Sequence, residues 1–248
     1  MTFLVAAFFL TALLYASVGF GGGSTYIALL VLAGVSAQLV PVVAPLCNIV
    51  VVTGGTIRFA RAGLVPWRRV LPLVIVSAPL AYLGGLTPIK QATFIALLGA
   101  SLFVAGLLLL FQRSRASANV RQTTTVTDAA LGGVVGYLSG LVGIGGGIFL
   151  SPLQHLLRWA TPRQIAATAS VFILVNSLAG LAGQLTKLGS AGLASLTDFW
   201  PLFVAVLVGG QIGSHAGIRL FSEPAVRRAT GVLILYVSGQ LLWKTFSG

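Results

Sequence analysis

Val18-Gly19-Phe20-Gly21-Gly22-Gly23 and Val142-Gly143-Ile144-Gly145-Gly146-Gly147 are one glycine-rich phrase written twice, 124 residues apart. Each interrupts a long apolar region, 2–34 in the first case and 128–157 in the second. Either side of a break is only about 10–16 residues, whereas a helix needs ~20 to cross a ~30 Å hydrocarbon core. Each region therefore reads as a pair of short helices, a hairpin that enters and leaves on the same side. Irregular backbone at membrane depth is tolerated only where it is buried in protein or lines a polar cavity. Glycine lets a ligand approach the backbone, and a helix that starts inside the membrane presents its positive dipole end to an anion.

Outside the hairpins, six uninterrupted apolar stretches are long enough to span: 39–57, 70–87, 91–111, 164–185, 198–217 and 228–246. Composition agrees. Only 7% of the 248 residues are charged and 57% are hydrophobic. A soluble domain carries roughly 25% charged residues, so this chain cannot cover a water-facing surface. The net charge of +12 comes from fifteen Lys and Arg against Asp128, Asp198 and Glu223. Those bases cluster in short loops between apolar runs, which fits membrane sidedness and anionic headgroups and excludes nucleic acid as the partner. A single cysteine excludes an internal disulfide framework. The first charged side chain is Arg58, so Thr2–Val18 lacks the basic start of a secretory signal and reads as membrane domain.

The repetition extends beyond the breaks. Val70-Leu71-Pro72-Leu73 to Leu83-Gly84-Gly85 resembles Phe199-Trp200-Pro201-Leu202 to Ile212-Gly213-Ser214, now displaced by 129 because the loop 186–197 is longer than its counterpart. Two copies of one unit follow, 1–111 and 128–248, joined by a polar cytoplasmic linker at 112–127. With six spans and two same-side hairpins, Arg58, Arg61, Arg68, Arg69, Arg113, Arg115, Arg121, Arg158, Arg163, Arg219, Arg227 and Arg228 fall on one side. Only Lys90, Lys187 and Lys244 fall on the other. The positive-inside rule makes the arginine side cytoplasmic and both termini external. The expected fold is an all-α integral membrane protein of two inverted-topology repeats, each a glycine-broken short-helix hairpin plus three transmembrane helices. Secondary transporters use that architecture, with the substrate held near the midplane where the broken helices meet.

Candidate substrate-binding residues are the breaks themselves, Gly21, Gly22, Gly23, Gly145, Gly146 and Gly147, with Ser24, Thr25 and Ser151 just beyond them. The third segment of each half adds Cys47, Asn48 and Thr53, then Thr168, Ser170, Asn176 and Ser177. Hydroxyls and amides can donate to an anion, although Ser and Thr in membranes also bond their own helix four residues back. Cys47 reads as a small buried hydrophobe or a redox-sensitive group facing substrate. Other glycines, Gly132, Gly136 and Gly140 and again Gly209, Gly213 and Gly217, recur every four residues and read as close helix packing.

Catalytic readings find no support. His155 and His215 have no acid near them in sequence, and two His, one Cys and three scattered acids do not make a metal cluster. No Walker A sequence occurs, and Gly19-Phe20-Gly21 lacks the βαβ setting of a nucleotide fingerprint. No cofactor is expected. Asp128 and Asp198 lie near span starts, where an acid suits the helix dipole. With no acid deep in the membrane, the cargo is expected to be a small anion rather than a cation.

The paired glycine-rich segments, the length and Ala167-Thr168-Ala169-Ser170…Val175-Asn176-Ser177 resemble the TauE/SafE family, also called the sulfite exporter or toluene sulfonate uptake permease family. The resemblance covers essentially the whole chain. It implies secondary transport of sulfur-containing anions such as sulfite, sulfoacetate and other organosulfonates across the bacterial inner membrane. It carries Gly21–Gly23, Gly145–Gly147, Thr168, Ser170 and Asn176 over as matches to the family's segments. Ala44-Pro45-Leu46-Cys47-Asn48 departs from the more usual Thr/Ser pattern. An anion channel, or a carrier of a non-sulfur organic anion, is the alternative, and a homodimer is a possible assembly.

Overall fold

The computed structural model describes residues 1–17, 19–111 and 124–220, together with 228, 231–232, 234–236, 238–240 and 242–243. Most of the linker, Arg113, Arg115, Arg121, Glu223, Arg227 and Lys244 lie outside the described residues, as does part of the stretch 228–246. Among the described residues every regular element is helical. The order is α1 (Thr2–Ser17), α2 (Gly23–Leu32), α3 (Val40–Arg61), α4 (Trp67–Leu86), α5 (Gln91–Phe111), α6 (Thr125–Val142), α7 (Gly147–Leu156), α8 (Pro162–Ala194) and α9 (Trp200–Leu220). A 3₁₀ turn, Ser195–Phe199, joins the last two.

Among the described residues six helical segments are long and apolar enough to cross a membrane: Val40–Arg61, Trp67–Leu86, Gln91–Phe111, Thr125–Val142, Pro162–Lys187 and Leu196–His215. Thr125–Val142 was expected as half a hairpin, and the expected span 228–246 lies partly outside the described residues. Large apolar side chains such as Phe3, Ile75, Phe103, Val134 and Leu178 stay exposed on the helix surfaces, as a lipid-facing belt requires. Trp67 and Trp200 are exposed at helix starts, where amphipathic rings anchor to the headgroup zone. Trp159, by contrast, is fully buried.

Two boundaries differ from the sequence reading. α6 is 18 residues, longer than half a hairpin was expected to be. Its glycines do not weaken it because they are clasped by α4. A Cβ on Gly136 would lie 2.6 Å from the Ser77 carbonyl oxygen, and Gly132 and Gly140 meet the Leu73 and Ala81 carbonyls still more closely. The helix stops only where Gly143 turns left-handed, at φ 82°. The segment 186–197, expected as loop, remains helical to Ala194. No proline falls between Pro162 and Pro201, and Leu, Ala, Lys and Gln all favour helix.

Packing couples distant parts of the chain. α4 lies against α6 and α8, α1 against α9, and α3 against both α8 and α9. The α1–α9 contact uses the device seen at α4–α6: Gly209 and Gly213 abut the Phe9 and Leu13 carbonyls. Both pairs run parallel, and backbone meets backbone without intervening side chains. α5 packs on the last helical residues, where Ser238 Oγ donates to the Gly99 carbonyl at 2.9 Å.

The two ends of the bundle differ in charge. α4 has Arg69 in its first turn and Thr87 just past its last. Arg69 donates to the Trp159 carbonyl, and its guanidinium carbon stands 4.0 Å over the Trp159 ring. Trp159 Nε1 in turn donates to Asp128 Oδ1 at 2.7 Å, and Arg69 Nε lies 3.9 Å from Asp128 Oδ2. This buried knot brings the start of α6 and the exit of α7 back to one end. At the other end Lys187 Nζ donates to the Thr87 carbonyl at 3.3 Å.

Candidate functional site

The two glycine breaks meet around Asn48. Positive φ at Gly19 (85°) and Gly22 (88°) turns the chain from α1 into α2, and at Gly143 (82°), Gly145 (85°) and Gly146 (77°) from α6 into α7. Few residues other than glycine adopt these angles without strain. Gly22 and Gly146 are the N-caps of α2 and α7, and as glycines they offer no side chain to accept from the helix amides. Thr25 and Phe149 N–H reach the cap carbonyls at 3.0 and 3.1 Å, so the amides before them are the ones a helix start leaves without a ladder partner.

Asn48, on α3, is fully buried between them. Its Nδ2 donates to the Ile144 carbonyl in the second break at 3.0 Å. A Cβ on Gly21 would lie 2.6 Å from Asn48 Oδ1, and one on Gly145 would lie 2.8 Å from Nδ2. Gly23 approaches both the Asn48 amide and the Ile144 carbonyl. On the opposite side Ser170 Oγ, from α8, donates to the Gly19 carbonyl in the first break at 2.6 Å and shares the Ala166 carbonyl at 3.1 Å. The third helix of each half therefore holds the break of the other.

Gly21, Gly23, Asn48 and Gly145 converge most tightly. Gly22 faces Tyr26 and Thr11, Gly146 faces Phe172, Val135 and Ser139, and Gly147 packs on Ile173. Thr25 Oγ1 pairs with the Tyr15 hydroxyl at 2.7 Å. Thr168 bonds the Gln164 carbonyl of its own helix at 2.8 Å. Asn176 Nδ2 is held by Ser77 Oγ at 3.0 Å and the Phe172 carbonyl at 2.8 Å, tying α8 to α4. Ser24, Cys47 and Ser151 are buried, with Ser24 in the first turn of α2 and Ser151 in the second turn of α7. Thr53 bonds Ile49 in its own helix and lies toward a groove between α3 and α9.

Several polar atoms here have no protein partner. They include Asn48 Oδ1, Asn176 Oδ1, and the hydroxyls of Ser177, Ser139 and Tyr26. Ser177 Oγ would lie 2.9 Å from a Cβ on Gly145, the Ser139 Cβ 3.2 Å from one on Gly146, and Tyr26 OH 3.1 Å from one on Gly22. Buried polar groups are almost always satisfied, so orphans grouped around two glycine breaks stand out. Tyr26 and Ser139 carry no sequence signal of this grouping, since each lies in a run that reads as an ordinary apolar helix. Nor does sequence reveal that the carbonyls of Gly19 and Ile144 are the acceptors. Asp128 is held by Trp159 and Arg69, and Asp198 is exposed in the 3₁₀ turn, so neither described acid lines the breaks. Among the described residues no group of His, Cys, Asp and Glu is arranged to hold a metal ion.

Residues 4–241 match the family described as sulfite exporter TauE/SafE. The chain belongs to that family. The relatives of this TauE/SafE chain include the probable membrane transporter protein y4hK of Sinorhizobium fredii, 37% identical over 97% of both chains. A probable membrane transporter protein of Xylella fastidiosa strain 9a5c is 29% identical over 92% of this chain and 90% of its own. The probable membrane transporter protein MamO of Magnetospirillum gryphiswaldense is 26% identical over 86% of this chain, which spans only 39% of that longer protein. No solved structure matches the chain. The protein is thus a multi-pass membrane transporter of the TauE/SafE family.

Proposed function

We propose that the chain is a secondary carrier of small sulfur-containing anions, sulfite or organosulfonates, and that substrate binds between the two glycine breaks. The observation that carries this reading is the environment of Asn48. Two helix N-termini without a side-chain cap start beside it, buried hydroxyls stand without partners, and the Asp128 carboxylate is tied up at one end of the bundle. Helix dipole ends contribute ~0.3–1 kcal/mol each, up to ~2 when partly buried. Hydrogen bonds to a charged group add ~1.5–3 kcal/mol each. A few together offset the desolvation of a small oxyanion, and no described carboxylate stands there to attract a cation.

In this reading residues 1–111 and 128–248 are inverted-topology repeats. The support is reciprocal packing: α1 on α9 answers α4 on α6, and α3 on α9 answers α4 on α8. The arginine-rich end is cytoplasmic, both termini are external, and the bacterial inner membrane is the site of action. Rocking of one repeat against the other would expose the breaks to each side in turn. The test is uptake by proteoliposomes offered sulfite, thiosulfate, organosulfonates, sulfate, carboxylates and alkali cations. Saturable anion uptake with counterflow is expected. Uptake of cations alone removes the reading, and anion flux without saturation or counterflow makes the protein a channel.

A further inference from the structure

The bundle contains a cavity, apart from the breaks, at its Lys187 end. Its volume is about 550 Å³, and its wall is formed by the α2–α3 and α4–α5 connections, the starts of α3 and α5, the end of α6 and the Gln184–Lys187 turn of α8. That is within the roughly 300–1,000 Å³ typical of small-molecule sites and far larger than a bare oxyanion needs. Its rim is polar and exposed, with Gln38, Gln91 and Lys187. Its inner wall is apolar, with Phe94 and Leu141 buried. No acid is among the lining residues.

We propose that this cavity is an outer capture site for organic anions that carry a short apolar body. The proposal rests on the anion reading above and narrows its substrate class. Lys187 supplies the charge. Its ammonium has three donors, and the Thr87 carbonyl takes one at 3.3 Å, which fixes the head at the rim. Gln184 is not a ligand: its Nε2 is engaged by the Gly140 and Leu141 carbonyls at 3.0 and 3.4 Å, which stiffens the wall. The Phe94 ring and Leu141 offer the surface a hydrocarbon body would cover. The cavity borders the second break: Pro41 lines it and packs closely on Gly143, the first residue of that break, its Cα 2.8 Å from where a Cβ on Gly143 would stand.

The experiment uses Lys187→Cys in the full chain, reconstituted in liposomes. Cys47, the one native cysteine, is fully buried, so aqueous thiol reagents act at position 187. Initial rates are measured for methanesulfonate and butanesulfonate, before and after an ethylammonium or an ethylsulfonate methanethiosulfonate reagent is added from the same bath. KM is expected to rise about tenfold in Lys187→Cys, the effect of losing roughly one hydrogen bond to a charged group. The cationic reagent should restore it, and the anionic one should raise it further, with kcat held within about twofold throughout. Wild type should prefer butanesulfonate, and Phe94→Ala should erase that preference by raising the KM for butanesulfonate more than the KM for methanesulfonate, each measured on inserted protein. Because the reagent acts on folded, inserted protein, misfolding cannot mimic the pattern. Equal KM in all charge states, in a protein that still carries anions, overturns the capture site and leaves the central site standing. Equal KM for the two sulfonates overturns the apolar component. A wild type that carries no anion overturns both proposals.

Discussion

Ser170 Oγ donates to the carbonyl oxygen of Gly19 at 2.6 Å across 151 positions of sequence. Asn48 does the same for Ile144 across 96. Each bond satisfies a carbonyl that the glycine turn has removed from any helical ladder. Together they hold the two breaks face to face.

Ser170→Ala and Asn48→Ala should therefore destabilise the folded protein as well as weaken transport. A buried carbonyl left without a donor costs about 1–3 kcal/mol. A drop in Tm in detergent is the expected readout, larger for Asn48→Ala because its amide also fills space against Gly21, Gly23 and Gly145. Ser170→Asp should go further and abolish anion flux in protein that still inserts, because a carboxylate would repel the cargo. Wild-type anion flux in Ser170→Asp would contradict the electrostatic argument.

The glycines separate into two kinds that mutagenesis can tell apart. Gly140→Ala would drive a methyl into the Ala81 carbonyl and part α4 from α6, so the yield of folded protein should collapse. Gly34 is left-handed at φ 77° but has open space around it, so Gly34→Ala should cost only the local backbone strain, about 1–2 kcal/mol. Gly146→Ala combines strain at φ 77° with contact on the Phe172 ring, 2.7 Å from the added carbon. It should lose transport out of proportion to its loss of folded protein. Parallel losses in Gly140→Ala and Gly146→Ala would erase the distinction.

The Arg69–Trp159–Asp128 knot should behave as one unit. Asp128→Ala removes the acceptor of the buried indole N–H and the carboxylate 3.9 Å from Arg69 Nε, while Trp159→Phe removes the donor and keeps an aromatic ring. Groups in one network commonly show coupling of 0.5–3 kcal/mol in a double-mutant cycle, about the size expected here. Additive effects on Tm would show that the three residues act separately.

Sidedness can be read by cysteine labelling over the buried Cys47. Positions 90 and 187 should react only from outside the cell, and positions 68 and 158 only from the cytoplasm. Reversal at either pair would overturn the assigned orientation.

Much of this was legible because the membrane simplifies the code. Apolar length located α3, α4, α5 and α9 to within a few residues, since a span must be long and uncharged. The breaks announced themselves because glycine tolerates the left-handed turns at Gly22 and Gly146. The ends of α6 and α8 were less legible. Gly132, Gly136 and Gly140 read as close helix packing, and α4 does clasp them, but that spacing does not say how far α6 runs before Gly143, and the stretch after Lys187 has the polarity of a loop although it continues a helix. The bonding of the site was least legible. Asn48, Ser170 and Asn176 were marked as polar groups near the breaks, yet the acceptors their donors find are Ile144, Gly19 and Ser77. Only three-dimensional proximity reveals those partners. The indole–carboxylate bond of Trp159 was invisible for the same reason, its ends lying 31 positions apart.

The backbone contact of α1 with Gly209 and Gly213 has a consequence for biosynthesis. α1 leaves the ribosome about 200 residues before α9, which it fits. At roughly 5–20 residues per second, α1 waits on the order of 10–40 s for its mate. Through that interval the surface moulded to α9 must be covered by lipid or by the insertion machinery. A nascent chain arrested before Gly209 should leave its first hairpin open to proteolysis, and one arrested beyond α9 should not.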